Sequence, residues 1–259
     1  MQQQQNKSLK MENLVVFDFD NTLIDGNTDS VIIDMFPDLK TTARTYRSEG
    51  KGWGETMHSI LDKISGKHGR TREHIDSCIY QLEIPKTVKQ MFSRIVNLKK
   101  SDLIIVSHSN EYFIDILLNM ADINKSTFKN ILTYPAVWTD KGSLEVQRFH
   151  SHVIDCAYCP NDFCKGHVLS DAIKKLEEAQ RKQYLTKIYI GDGTADYCGA
   201  ASLNRDDYVL CREGYSLQKL IFKHQNHLHK KDSSQNFPKC KSWSTFEEME
   251  ANLLSLLSS

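Results

Sequence analysis

Carboxylates gather in two short segments that each follow a run of apolar residues. Asp18 and Asp20 come directly after the apolar run at residues 13–17, and Asp192 and Asp196 follow a later run. Clustered carboxylates repel one another unless a cation joins them, and their hard oxygen atoms suit Mg²⁺. An ionised Asp18 could attack phosphorus, while Asp20 could protonate a leaving alcohol and later deprotonate water. These residue types therefore predict phosphoryl transfer through an aspartyl-phosphate.

Two further polar residues stand where such a reaction would need them. Ser107 follows the apolar run at residues 102–106 and can donate a hydrogen bond to a phosphoryl oxygen. Lys165 opens a predicted helix and supplies a positive charge against the charge on the transferring group. Open α/β sheets bind ligands outside the carboxyl ends of their strands. We therefore expect Ser107 and Lys165 to lie beside Asp18 at one edge of a sheet.

Short apolar runs alternate with helical patterns along the chain. We predict strands at residues 13–17, 102–106, 131–134, 187–190 and 207–210, and helices over residues 54–64, 72–82, 87–98, 112–120, 168–180 and 246–257. A continuous apolar run is typical of a strand buried on both faces of a parallel sheet. The alternation predicts an α/β protein with a doubly wound, mainly parallel sheet. Residues 135–165 are predicted to be irregular, and residues 223–239 to form a polar loop.

The segment between the first two predicted strands differs in texture from the rest of the chain. Its short helical patterns are separated by glycines at positions 50, 52 and 54, for which we expect a flexible joint. We predict a disordered tail at residues 1–10, a catalytic α/β core at residues 11–26 and 86–259, and a small helical cap at residues 27–85. The cap would close over the site and exclude water. Trp53 belongs either to the core of this cap or to a surface that faces the substrate.

The composition excludes several classes of partner. Lys and Arg number 33 and Asp and Glu number 33, so the formal net charge is zero and the pI is about 7.1. This balance argues against broad binding to nucleic acid or to anionic lipid, because both need a positive surface. No apolar run approaches the ~20 residues that span a bilayer. The polar first ten residues and the seven unevenly spaced cysteines lead us to expect a cytoplasmic protein with reduced thiols.

The motifs resemble those of a known superfamily. DFDNT at residues 18–22, Ser107 after LIIV, Lys165 and GDGTAD at residues 191–196 look like the four motifs of the haloacid-dehalogenase superfamily of phosphatases. A closer resemblance is to the phosphoethanolamine/phosphocholine phosphatase family, including its pyridoxal-phosphate phosphatase branch. The matching stretches are VFDFDNTLIDGNTD (16–29), IIVSHSN (104–110), CAYCPNDFCKGHVLSD (156–171), YIGDGTADYC (189–198) and GYSLQKL (214–220).

This resemblance implies roles for individual residues. It makes Asp18 the nucleophile and Asp20 the acid and base, and it assigns Mg²⁺ to Asp18, to the main-chain carbonyl of Asp20 and to Asp192. Asp29 matches a position that the family uses for the substrate. The implied function is a Mg²⁺-dependent phosphatase that acts on a small phosphorylated metabolite. Pyridoxal 5'-phosphate is the first substrate that the resemblance suggests, and phosphoethanolamine or phosphocholine is the alternative.

His108 is the one departure from the family pattern. The family has S-D-x-N where this chain has SHSN, so an anion that would attract a cationic aminoalcohol is missing. An imidazole could instead stack on an aromatic ring or donate to an anionic one. With an ordinary pKa of ~6.5, we expect His108 to change charge within the working range, so that discrimination against aminoalcohol phosphates grows at low pH.

Two alternative functions stay open at this point. The chain could be a catalytically weakened phosphate-binding regulatory protein, with His108 as a sign of drift, although all four motif positions are filled. It could also be a phosphotransferase, because an aspartyl-phosphate can pass its group to a sugar.

Two clusters of cysteine and histidine carry ligand types suited to metals. Cys156, Cys159 and Cys164, with His150 and His152 upstream, could bind zinc or could form a packed, reduced loop that positions Lys165. A solvated loop is the favoured interpretation of the second cluster, which contains His224, His227 and His229. GDGTAD lacks the third glycine of a dinucleotide-binding loop, since Asp196 stands at that position. We expect Asp196 to support Asp192 by hydrogen bonding and not to bind the metal directly.

Overall fold

A computed structural model describes residues 12–98, 100–228 and 237–258, and it contains one large parallel sheet. The strands are β1 (Glu12–Phe17), β2 (Ser101–Asn110), β3 (Asn130–Tyr134), β4 (Ala136–Trp138), β5 (Leu144–Val146), β6 (Tyr184–Gly191), β7 (Tyr208–Arg212) and β8 (Lys239–Trp243). Six of them pair in the order β3-β2-β1-β6-β7-β8, all parallel, and β4 and β5 form a separate antiparallel hairpin. The predicted fold class is confirmed.

Helices flank the sheet, and four of them lie in the segment predicted to be a cap. The helices are α1 (Thr28–Ile33), α2 (Pro37–Ser48), α3 (Trp53–Gly66), α4 (Arg72–Ile79), α5 (Lys86–Leu98), α6 (Glu111–Met120), α7 (Lys165–Gln180), α8 (Thr194–Ala201), α9 (Ser216–Leu228) and α10 (Phe246–Ser258). β1 lies inside the sheet, paired on both sides, and its residues 14–17 are therefore fully buried, as the continuous apolar run predicts. Within the described residues, no helix is long and apolar enough to cross a bilayer.

The local predictions were wrong where polar residues take part in regular structure. β2 continues through SHSN to Asn110, and the segment predicted to be irregular contains the hairpin β4–β5. β8 escaped detection because its sequence KCKSW is polar, as suits an edge strand with alternating exposure. Residues 223–228 are the end of α9 and not a loop; the rest of that predicted loop lies partly outside the described residues.

Four helices stand between β1 and α5, where the cap was predicted. Helix α3 buries Met57, Ile60, Leu61 and Ile64, a spacing of three and four residues that brings one face of the helix inward. Helix α4 contributes Ile75 and Ile79 to the same apolar cluster. The predicted domain boundaries stay a prediction, and the tail at residues 1–10 lies outside the described residues.

The glycine-rich stretch before α3 is tied to the core by hydrogen bonds, and its predicted role as a flexible joint stays a prediction. Asp162 is fully buried and accepts hydrogen bonds from the backbone N–H groups of Trp53 and Gly54 at 3.0 and 2.9 Å. The hydroxyl group of Tyr134 donates to the same carboxylate at 2.8 Å. A Cβ atom on Gly52 would lie 2.2 Å from Asp162 Oδ2. Glycine therefore lets the first turn of α3 wrap closely around a carboxylate of the core.

Asp162→Asn tests this anchor. The asparagine amide would meet N–H donors where the carboxylate accepts hydrogen bonds, so we expect the free energy of unfolding to fall by about 1–3 kcal/mol. Urea denaturation measures this change. Asp155→Asn is the matched control, because Asp155 is exposed on the same loop. Equal stability of the two variants would contradict the anchoring role.

Candidate active site

The carboxylates of the site lie where the strand order of the sheet reverses. Asp18 follows β1 and Asp192 follows β6, and these two strands are neighbours in the sheet. The backbone N–H of Asp18 donates to the carbonyl of Ile190 at 2.9 Å, which continues the ladder to the end of the strands. Open α/β sheets bind their ligands at such a reversal. The structure therefore brings these two predicted site residues together.

Lys165 lies between two carboxylates. Its Nζ atom is 2.7 Å from Asp18 Oδ1 and 2.7 Å from Asp196 Oδ1, and the residue is only 2% exposed. Burial by itself lowers the pKa of Lys165, but the charges of Asp18 and Asp196 raise it above its ordinary value. Lys165 is therefore a permanent cation that touches the predicted nucleophile.

Asp196 uses both of its carboxylate oxygens within the protein. Oδ1 accepts from Lys165 Nζ and from the hydroxyl of Tyr189, both at 2.7 Å. Oδ2 accepts from the backbone N–H groups of Asp192 at 3.0 Å and Gly193 at 2.7 Å. A Cβ on Gly191 would lie 2.6 Å from Asp196 Cγ, so only glycine allows this approach. Asp196 therefore holds Lys165 and the Asp192 backbone in place, and its oxygens are not open to a metal.

Asp18 and Asp192 suit a divalent cation, and Asp196 lies beside them. Asp18, Asp192 and Asp196 each have an oxygen within 4.8 Å of the others, and all three residues are buried. Burial and the charge of Asp196 raise the pKa of Asp18 to about 8, and burial and the charge of Asp18 raise the pKa of Asp192 to about 8. Lys165 alone does not offset this repulsion. An oxygen-binding ion such as Mg²⁺ fits beside Asp18 and Asp192, because it would stabilise both ionised groups.

Asp20 is held by the first turn of α1. The backbone N–H of Thr28 donates to Asp20 Oδ1 at 2.9 Å, and the Thr28 hydroxyl donates to Oδ2 at 3.2 Å. Asn27 Nδ2 also lies 3.3 Å from Oδ2. Burial, followed by the charge of Asp29, raises the pKa of Asp20 to about 7. A carboxyl group with a pKa near neutrality is suited to give and take a proton.

Ser107 and His108 reach the pocket from β2. Ser107 is buried, and its Oγ atom accepts from the backbone N–H of Ser109 at 3.1 Å. His108 Nε2 donates to the carbonyl of Phe163 at 3.0 Å, and the two rings meet edge to face with centroids 5.0 Å apart. Both Ser107 and His108 line the pocket that contains the carboxylates.

The charge predicted for His108 has to be corrected. Burial and the nearby Lys165 cation lower the pKa of His108 from its ordinary value to about 3. The imidazole is therefore neutral throughout the working range of pH. The prediction that substrate discrimination grows as the pH falls below ~6.5 is wrong, because that argument used the ordinary pKa of histidine.

Asp29 contacts the Trp53 indole and does not itself line the pocket. The indole Nε1 donates to Asp29 Oδ2 at 2.7 Å, and the other carboxylate oxygen is buried without a hydrogen-bond partner among the described residues. Burial raises the pKa of Asp29 to about 7. Trp53 lines the pocket and Asp29 does not. Trp53 thus contributes a ring to the pocket wall, and Asp29 fixes its orientation; the substrate-binding role of Asp29 stays a prediction.

The pocket has a volume of about 700 Å³ and is open to solvent. Arg47 and Lys51 of the cap line it together with the predicted site residues. Sequence reasoning missed Arg47 and Lys51 because isolated basic residues carry no pattern of their own. A hollow of about 890 Å³ near the amino end of β6 is larger, but none of the predicted site residues lines it.

The histidine cluster near the end of α9 is only partly described. His224 Nε2 lies 3.2 Å from the hydroxyl of Tyr158, and its ring stacks on Tyr197 at 4.8 Å. His224 is thus packed against aromatic rings. The side chain of His227 and all of His229 lie outside the described residues.

Comparisons with known proteins identify the family of this chain. A family model described as Putative Phosphatase matches residues 13–257. A pyridoxal phosphate phosphatase of Homo sapiens is 36% identical over 213 residues, covering 82% of this chain and 86% of that protein. A thiamine phosphate phosphatase-like protein of Arabidopsis thaliana is 30% identical over 256 residues, covering 95% of each chain.

Solved structures share the fold. A HAD-family hydrolase from Salmonella enterica serovar Typhi has a TM-score of 0.58 and 11% identity, covering 83% of this chain and 66% of that one. A phosphoserine phosphatase solved as a phospho-aspartyl intermediate analogue has a TM-score of 0.53 and 13% identity, covering 83% of this chain and 99% of that one. The chain therefore belongs to the putative phosphatase family, and it is a phosphoric monoester hydrolase with the haloacid-dehalogenase fold.

Proposed function

We propose that this phosphatase hydrolyses pyridoxal 5'-phosphate through an aspartyl-phosphate on Asp18, with the help of Mg²⁺. The proposal rests on the contact of Lys165 Nζ with Asp18 Oδ1. Asp20, whose pKa is raised, lies in the same pocket. Asp18, Asp192 and the main-chain carbonyl of Asp20 would hold the ion. When bound, Mg²⁺ would neutralise charge on the phosphoryl oxygens.

Each chemical step has a residue of this chain to perform it. Asp18 attacks phosphorus, the bond from phosphorus to the leaving oxygen breaks, and Asp20 gives its proton to that oxygen. Asp20 then takes a proton from water, and the resulting nucleophile attacks phosphorus and releases Asp18 and inorganic phosphate. Lys165 and Ser107 donate to the phosphoryl oxygens as charge develops on them. The hydrogen bonds from Thr28 keep Asp20 in place for both proton transfers.

The charges around the pocket support an anionic, aromatic substrate. Arg47 lines the pocket and would repel the ammonium of an aminoalcohol phosphate. Lys51 also lines it, but the carboxylates of Glu49 and Glu55, at 3.6 and 3.7 Å, offset its charge. The neutral imidazole of His108 does not attract that ammonium. Pyridoxal phosphate instead brings an aromatic ring and an anionic phenolate oxygen, and the Trp53 indole offers an aromatic surface in the pocket wall. A human relative is named as a phosphatase of this compound.

Phosphoethanolamine or phosphocholine is the second candidate substrate. The observation in its favour is the pair of Trp53 and Asp29, because an indole face attracts a cationic ammonium and a carboxylate strengthens that attraction. The regulatory alternative loses support because the described site holds all of the groups needed for hydrolysis. The phosphotransferase alternative loses support because the family and the similar relatives are named as phosphatases. The predicted cytoplasmic location stays a prediction.

A substrate panel tests the proposed function. Release of inorganic phosphate from pyridoxal phosphate, phosphocholine and phosphoethanolamine is measured with Mg²⁺ and after its removal. We expect the highest kcat/KM for pyridoxal phosphate and a requirement for Mg²⁺. Equal rates with and without the ion would overturn the metal assignment, and a preference for the aminoalcohol esters would favour the second candidate.

Asp18→Asn tests the nucleophile. The substitution keeps the size of the side chain but removes the attacking charge and a proposed metal ligand, so we expect kcat to fall at least ~10³-fold. Circular dichroism and thermal unfolding show whether the fold is retained. Asp140→Asn is the control, because Asp140 is exposed and does not line the pocket. Full activity of Asp18→Asn would refute the covalent mechanism.

Asp20→Asn separates acid and base catalysis from nucleophilic attack. Loss of the proton donor costs ~10²–10⁴-fold in rate, and we expect the loss to be smaller for nitrophenyl phosphate, whose leaving group needs little protonation. Parallel kcat measurements on nitrophenyl phosphate and on an alkyl phosphate decide this. An equal loss for both substrates would mean that Asp20 has another role.

His108→Asp tests how the pocket selects its substrate. An anion at this position would attract a substrate ammonium, so we expect kcat/KM for phosphocholine to rise relative to pyridoxal phosphate by about 5- to 30-fold, which is ~1–2 kcal/mol. In the unchanged protein, His108 should not alter this ratio between about pH 5 and pH 8, because its imidazole stays neutral.

His108→Gln is the matched neutral control, because its amide can still donate to the carbonyl of Phe163. The argument fails if aspartate and glutamine at position 108 give the same preference, since position 108 would then not face the leaving group.

A further inference from the structure

Four cysteine sulfurs meet beside the active site. Cys156, Cys159 and Cys164 lie on the loop before α7, and α8 brings Cys198 to them. The Cys198 sulfur lies 3.6 Å from that of Cys156 and 3.5 Å from that of Cys164, and all four lie within 4.8 Å of one another. Zinc binds thiolates at about 2.3 Å, and four of them in a tetrahedron lie about 3.8 Å apart. The cluster has the size of a tetrathiolate zinc site.

The first turn of α7 points its N–H groups at these sulfurs. The backbone N–H of Lys165 donates to Cys159 Sγ at 3.4 Å. The N–H groups of Gly166 and His167 donate to the sulfurs of Cys198 and Cys164. Four thiolates around Zn²⁺ carry a net charge of two minus, and N–H donors at a helix N-terminus stabilise such a charge. Hydrogen bonds of this kind orient and support metal ligands.

Gly166 allows the two segments to approach closely. A Cβ atom at this position would lie 2.7 Å from the carbonyl oxygen of Cys198 and 2.8 Å from its sulfur. The start of α7 and the middle of α8 are therefore in backbone contact at the cluster. The histidines upstream do not complete the site: the ring of His150 packs against Phe149 and Phe163.

We propose that Cys156, Cys159, Cys164 and Cys198 bind one structural Zn²⁺. Each thiol loses a proton and its sulfur gives an electron pair to the ion, with no change of oxidation state. The site is separate from the Mg²⁺ site, because its ligands are sulfur atoms and those beside Asp18 are oxygen atoms.

The zinc would tie together two segments that carry active-site residues. Cys164 directly precedes Lys165, and Cys198 lies two residues after Asp196 on the same helix. The ion would thus hold the Lys165 ammonium and the Asp196 carboxylate at the 2.7 Å separation seen in the structure. The site is a positioning device and takes no part in the chemical steps.

Metal analysis of the full-length protein tests the proposal. Protein expressed with added zinc and purified without chelator, in buffer that contains Mg²⁺, should hold about one zinc per chain. Replacement by Co²⁺ should give the visible bands of a tetrahedral ion and near-ultraviolet absorption from thiolate-to-cobalt charge transfer. Cys198→Ser and Cys156→Ser should each lose most of the zinc and unfold at a lower temperature.

Two kinds of control make the result specific. Cys240→Ser should keep the zinc, because Cys240 lies outside the cluster and, among the described cysteines, contacts only Cys211 Sγ, at 3.4 Å. Cys78→Ser should keep the zinc as well. Asp192→Asn should also keep it, which separates this ion from one bound at the oxygen site. If the protein contains no zinc and all four cluster thiols react with an alkylating reagent, the proposal is overturned and the cluster is only a packed loop. A disulfide in the cluster without zinc, or zinc content unchanged in both cluster variants, would also overturn the proposal.

Discussion

The site depends on how several carboxylates are kept together at one edge of a sheet. Asp18, Asp192 and Asp196 are all buried within reach of one another, and burial and mutual repulsion raise the pKa of the first two to about 8. Lys165 offsets part of this repulsion by contacting Asp18 and Asp196 at once. The remaining excess of negative charge is what makes a divalent cation fit, so the demand for a metal follows from the arrangement itself.

The rest of the fold supplies the anchors that this crowding needs. Asp196 is held by Tyr189 of β6 and by the backbone N–H groups of Asp192 and Gly193, just before α8. Asp20 is held by Thr28 of α1. Asp162 fixes the first turn of α3, which carries the pocket residue Trp53. Each anchor uses hydrogen bonds to a buried carboxylate, which are stronger than bonds between neutral groups. The stability of the fold and the geometry of the site therefore depend on the same interactions.

The sequence predicted the sheet and the position of the acidic residues because those features follow from local patterns. Apolar runs mark β1 and β6, and the residue after each run must lie at the carboxyl edge of the sheet. Contacts between distant segments leave no such pattern. Asp162 meets the start of α3 across more than a hundred residues, and Cys198 meets Cys164 across 34. Neither meeting could be inferred from spacing, since the chain path between the partners decides it.

His108 shows why a residue type alone does not give its charge. A histidine in place of an aspartate suggests a side chain that titrates near neutral pH. In the folded protein, the imidazole is partly buried and donates a hydrogen bond to the carbonyl of Phe163. Burial and the nearby Lys165 cation both disfavour the protonated, positively charged form, so they lower the pKa of His108. The substitution therefore removes one negative charge from the pocket at every working pH. Under the proposed substrate preference, discrimination against a cationic leaving group would come from Arg47 and from this neutral ring, and it would not change as the pH falls.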